Sequence, residues 1–115
     1  MTHLEVEHIT RQDGKTVVYR LRGVLGESTY SFDFLEELRR QVRAGPDRIV
    51  LDLSGLEYIT SSGVGVVAAA YTSARRAEKR LCLAAVPPKV QRVLDICGVF
   101  DAVDHFDTED EAAAS

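Results

Sequence analysis

The chain has 115 residues, of which 45 % are hydrophobic and 28 % charged. That is the size of one domain with the composition of a folded one, which excludes an intrinsically disordered chain. The net charge of −4 leaves no basic excess to neutralise phosphates, so nucleic acid is not expected as a partner.

Leu4, Val6 and His8 alternate with Glu5 and Glu7, which predicts a short, half-exposed strand. Gln12-Asp13-Gly14-Lys15 reads as a turn, with glycine where a positive φ is needed. Over Thr16–Arg22, Val17, Tyr19 and Leu21 share one face and Val18, Arg20 and Arg22 the other, which completes a hairpin. Gly23–Tyr30 reads as a loop. A helix is expected over Ser31–Ala44, capped by Ser31 or Asp33 and stopped by Gly45-Pro46, with Leu35, Leu38 and Val42 as its apolar stripe. Tyr30, Phe32 and Phe34 near its start are read as core rather than contact surface.

Ile49–Leu53 is almost unbroken apolar, as a central strand should be. Ser54–Ile59 reads as a connection. Thr60-Ser61-Ser62-Gly63 leads into a helix over Ser62–Lys79, with Val64, Val67, Ala68 and Tyr71 on one stripe and a basic end that suits the dipole. Leu81–Val86 is a second buried strand, reached by a right-handed parallel crossover. Pro87-Pro88 opens the last helix; Val90, Val93, Leu94 and Cys97 follow at helical spacing, and Gly98 ends it. Val99–Phe106 adds a short final segment.

The order β-β-α-β-α-β-α predicts an α/β fold, a mixed sheet of four to five strands with three amphipathic helices mainly on one face. One domain is placed at residues 1–107, and the acidic, alanine-rich residues 108–115 are expected to fray. Cys82 and Cys97 are expected as buried free thiols in a reducing compartment. The first residues carry acids and no apolar stretch, so no signal peptide is read there. The run Gly63–Tyr71 is far short of the ~18 residues of a membrane span. A cytoplasmic protein without direct membrane insertion is expected.

Catalytic signals are weak. His3, His8 and His105 are scattered, so no metal site is expected. Asp101, Asp104 and Asp107 around His105 read as solvated surface. A triad of Ser61, His105 and Asp52 lacks the nucleophile elbow, and Gly63-Val64-Gly65 is no phosphate loop. No catalytic residue and no cofactor are assigned. The informative segment is Thr60-Ser61-Ser62: one hydroxyl can cap a helix, and three exceed that need. A phosphate here would meet free N–H groups and the positive end of the helix dipole, while adding ~−1.5 to −2 charges. Capping and phosphorylation are both open at this point.

Ile49–Gly65 resembles the core motif of STAS domains, the family of bacterial anti-sigma factor antagonists and of related domains of sulfate transporters. Leu21–Leu25 is similar to the family's second-strand end, and Pro88–Val99 to its last helix. The resemblance implies a partner switch. The antagonist binds an anti-sigma factor that is also a serine kinase, is released when phosphorylated, and is reset by a serine phosphatase. The acceptor falls on Ser61, with Thr60 and Ser62 as alternatives. The implied partner surface holds Gly26, Ser54, Gly55, Thr60, Ser61, Ser62, Gly63 and Val64. Two positions depart from the family pattern: Thr60 stands where an Asp is usual, and Gly26 where an acid is usual. They motivate an alternative, a non-phosphorylated STAS scaffold or subunit of a stressosome or lipid-transport complex. A monomer or weak homodimer is expected.

Overall fold

A computed structural model describes residues 3–11 and 13–115. The alternation at the N-terminus produces β1 (Leu4–Thr10) and β2 (Thr16–Leu25), an antiparallel pair in which Val6 faces Leu21 and His8 faces Tyr19. Gly14 sits at φ +69° in the intervening turn, and Asp13 Oδ1 accepts from the N–H groups of Lys15 and Thr16. Gln12, the first residue of the expected turn, lies outside the described residues. Helix α1 (Thr29–Val42) follows, then β3 (Arg48–Ile59), α2 (Ser61–Arg76), β4 (Arg80–Ala84) and α3 (Pro88–Ile96). The expected final segment resolves into a single turn, α4 (Val99–Ala102), and a short strand, β5 (Asp104–Phe106). A last helix, α5 (Glu109–Ala114), ends the chain.

The five strands form one sheet in the order β1-β2-β3-β4-β5, with β2 to β5 parallel. Alternate side chains of the parallel strands point to opposite sides. Tyr19, Leu21, Leu51, Leu53 and Leu83 face α1, α2 and α3 and meet Phe34, Leu38, Val67, Ala70 and Leu94 in the main core. Val18, Val50, Cys82 and Ala84 face the other way, and Ala112 of α5 covers them.

Several boundaries differ from expectation for identifiable reasons. The presumed loop from Gly23 and the presumed connection Ser54–Ile59 are both extended strand. They pair with each other, Gly23 with Leu56 and Leu25 with Ile59, across two register shifts that break the alternation. Helix α1 is capped by Ser28, whose hydroxyl accepts from the Ser31 N–H. Ser31 is instead buried, and its hydroxyl accepts from the Gly26 N–H at 3.2 Å. Phe34 is core, whereas Tyr30 and Phe32 are exposed. Cys82 is buried, and Cys97 is exposed at the end of α3. Glu78, just after α2, takes a left-handed φ of +60°, a conformation that favours glycine.

Residues 108–115 are folded rather than frayed. Thr108 caps α5 by accepting from the Glu111 N–H. Arg20 donates to both carboxylate oxygens of Glu109, at 2.6 and 3.1 Å, and Arg11 donates to Asp110. Arg48 donates to the carbonyls of Ala113 and Ser115. Burial holds Asp52, under α5, above the usual carboxylate range, while the Arg20 guanidinium pulls its neighbour Glu109 down to about 2. Among the described residues, no helix is long and apolar enough to cross a membrane.

Candidate functional site

Because β2 to β5 run parallel, their carboxyl ends lie together, and the turns that follow β2 and β3 meet at one end of the sheet. The Thr60 N–H donates to the Leu25 carbonyl at 3.1 Å, tying the mouth of α2 to the end of β2. Thr60 is extended and acts as N-cap: its Oγ1 accepts from the Gly63 N–H at 3.1 Å, and its carbonyl accepts from the Val64 N–H. The capping role expected of one hydroxyl therefore falls on Thr60. Ser61 and Ser62, the first two helical residues, stay exposed, and their amides have no carbonyl within the helix to bond. No acidic residue sits in this first turn.

Gly63 makes the close approach possible. A Cβ at this position would lie 2.1 Å from the Leu25 carbonyl oxygen and 2.9 Å from Ile59 Cγ1. Gly26 performs a similar service on the other side. A Cβ there would come within 3.0 Å of Thr60 Oγ1 and 3.1 Å of its methyl. The two positions that depart from the family pattern are thus in contact with each other.

The expected site residues separate into groups. Thr60, Ser61 and Ser62 form the helix mouth. Gly26, Gly63 and Val64 are buried beneath it, so they support the surface rather than present it. Ser54 and Gly55 stand apart, six residues or ~20 Å of strand before Thr60, beside Glu5 and Arg22. Gly55 packs against the β2 backbone, where a Cβ would sit 2.8 Å from the Leu21 carbonyl. The triad does not assemble. Asp52 lies on the α5 side of the sheet, and His105 is on the other side, stacked on Phe100 at 3.8 Å. Among the described residues no three His, Cys, Asp or Glu side chains gather as a metal cluster.

Sequence reasoning missed Tyr58, 56 % exposed and three residues ahead of Ser61. Reading Ser54–Ile59 as a connection hid it; the strand alternation of Tyr58 with buried Ile59 was the available signal.

The chain is 35 % identical over 79 residues to BtrV of Bordetella bronchiseptica, whose name assigns it provisionally as an anti-sigma factor antagonist; the match spans 69 % of this chain and 68 % of that protein. It is 28 % identical to the anti-sigma F factor antagonist of Paenibacillus polymyxa, over 92 % of this chain and 87 % of that one. Among solved structures, the anti-sigma factor antagonist SpoIIAA in its unphosphorylated form superposes with a TM-score of 0.77 at 26 % identity, covering 96 % of this chain and 93 % of SpoIIAA. Residues 7–112 match the STAS domain family, and with that span the chain belongs to it.

Proposed function

We propose that the chain is an anti-sigma factor antagonist, switched by phosphorylation of Ser61. Its partner is an anti-sigma factor that is also a serine kinase, and a serine phosphatase restores the unmodified form. The observation that carries this reading is the division of labour at the helix mouth: Thr60 holds the cap while Ser61 stays exposed beside it. A phosphate on Ser61 disturbs no packed group and sits at the favourable end of the helix dipole. The fold tolerates it. The named relatives, and the description of SpoIIAA in an unphosphorylated form, support the same reading.

The switch works through the interface. Ser62, exposed beside Ser61 in the first turn of α2, carries no charge, and neither do the adjoining Thr60, Gly63 and Val64. A doubly charged group buried here against a partner lacks a counter-charge from this chain. An uncompensated buried charge costs ~3–5 kcal/mol, and ~1.4 kcal/mol is a factor of ten, so affinity falls by roughly two to three orders of magnitude.

The test is calorimetry with the purified cognate kinase partner, joined to mass mapping after incubation with ATP. Ser61→Ala should bind like wild type, Ser61→Asp should bind more weakly, and phosphate should map to Ser61. Equal affinities for the two variants would remove the switch from this position. The missing acids at Thr60 and Gly26 favour one competing reading, a non-phosphorylated scaffold; absence of phosphate under every candidate kinase selects it.

A further inference from the structure

Where α1 and α2 lie side by side, their carboxyl-terminal halves enclose a groove of about 360 Å³. Val42 and Ala77 form its apolar part, and Arg39, Arg43, Ser73 and Arg76 line the rest. Arg39 Nε donates to Ser73 Oγ at 3.2 Å, which ties the two helices together. The helix dipole accounts for cations at these ends, but not for guanidinium groups from two helices lining one groove. Their charge is largely uncompensated. Arg39 meets the exposed Glu36 only at 3.7 Å, and among the described residues Arg43 and Arg76 form no ion pair. No acidic side chain lines the groove. Phe32 continues the same side of α1: it stands seven residues, two turns or ~10 Å, before Arg39, so both project towards α2. It is a large apolar side chain left 55 % exposed. The strip between the helices therefore offers an aromatic ring at one end and three guanidinium groups at the other.

Charge and shape select the occupant. A flat anionic surface, lipid or nucleic acid, would also meet the exposed carboxylates of Asp33 and Glu36 on α1. Two copies packed groove to groove about a twofold axis would set arginine against arginine. A narrow acidic segment avoids both. We propose that the α1–α2 groove docks a segment of a partner protein in which an apolar side chain lies ~10 Å from a pair of carboxylates. The apolar group packs on Phe32, and the carboxylates accept the forked hydrogen bonds of Arg43 and Arg76. This surface is distinct from Ser61 and does not rest on the switch proposed there.

The test uses a capped five-residue peptide: leucine, two serines, then two glutamates. Extended, it holds the leucine ~10 Å from the first glutamate. The control has lysine in place of glutamate. Amide shifts are followed by NMR on the whole chain. The acidic peptide should move the amides of Ser73 and Ala77, with an affinity that falls as salt rises. Joint replacement Arg43→Gln and Arg76→Gln should weaken binding about tenfold. Phe32→Ser should weaken it as well. Circular dichroism should stay unchanged in both variants, since all three side chains are exposed. No shift at Ser73 and Ala77 overturns the proposal, as does undiminished binding by the arginine double variant or equal binding of the lysine peptide. Equal shifts from inorganic phosphate alone would reduce the groove to an ion site, and shifts from rising protein concentration alone would assign it to a second copy. Either result also overturns it.

Discussion

Two alanine substitutions in the same helix should act in opposite directions. At Gly63, a Cβ would stand 2.1 Å from the Leu25 carbonyl oxygen and 2.7 Å from its carbon. A comfortable carbon–oxygen approach is ~3.3 Å, so the mouth of α2 must retreat by ~1.2 Å. Both neighbouring atoms belong to the β2 backbone, which the β3 ladder holds, so the helix is the part that moves. Retreat stretches the Thr60–Leu25 bond and the Thr60 cap. Overpacking costs ~1–3 kcal/mol and a lost cap ~1 kcal/mol, offset by at most ~1 kcal/mol of helix propensity. The net loss is ~1–3 kcal/mol, or ~4–12 °C in Tm for a domain of this size.

At Gly65, two residues on, a Cβ meets nothing within 4 Å. There the propensity gain of ~0.5–1 kcal/mol is uncompensated, and Tm should rise by ~2–4 °C. Thermal unfolding followed by circular dichroism decides the matter. A Gly63→Ala variant that melts at or above wild type would refute the claim that glycine is needed for the close approach. Equal losses at both positions would show that helix flexibility, not contact with Leu25, sets the requirement.

Two further outcomes are expected. Thr60→Val keeps the shape but removes the cap acceptor, and should cost ~1 kcal/mol of stability in denaturant titration. Retention of full stability would mean that the Thr60 hydroxyl is free to serve as a phosphate acceptor. Acid should release α5: Arg20 holds Glu109 near 2 in the folded state, below its ordinary carboxylate value, so this contribution is complete above ~pH 4.3 and fades as pH falls towards 2. Asp52 acts with the opposite sign, since burial raises it and protonation relieves that cost. The Ala112 amide should therefore exchange faster below pH 4, and Glu109→Gln should flatten the dependence. An unchanged profile in that variant would place the titration elsewhere.

The hairpin, the stripes of α1 and α2, the crossover and the proline start of α3 were legible because each writes a local period or a breaker into the chain. The upper halves of β2 and β3 were not. Gly23, Ser54 and Gly55 look like loop residues, and only pairing between the two strands reveals them as extended. The segment 108–115 read as a tail because its apolar content is small alanines. What holds it is long-range: Arg20, Arg48 and the floor formed by Val18, Val50 and Cys82. At the helix mouth, the hydroxyl run was visible but its division was not, since which oxygen caps depends on the backbone of Thr60. Nor could the sequence show that Gly26 and Thr60, 34 positions apart, share one space.

The burial of Cys82 beneath α5 equips the molecule with an internal reporter. Its sulfur lies 4.0 Å from the Ser115 hydroxyl, and burial pushes the thiol up and away from its reactive form. Cys97, open to solvent at the end of α3, carries no such shield. A maleimide therefore tags the native chain once, and the rate at which a second tag arrives measures how often the terminal helix lifts from the sheet.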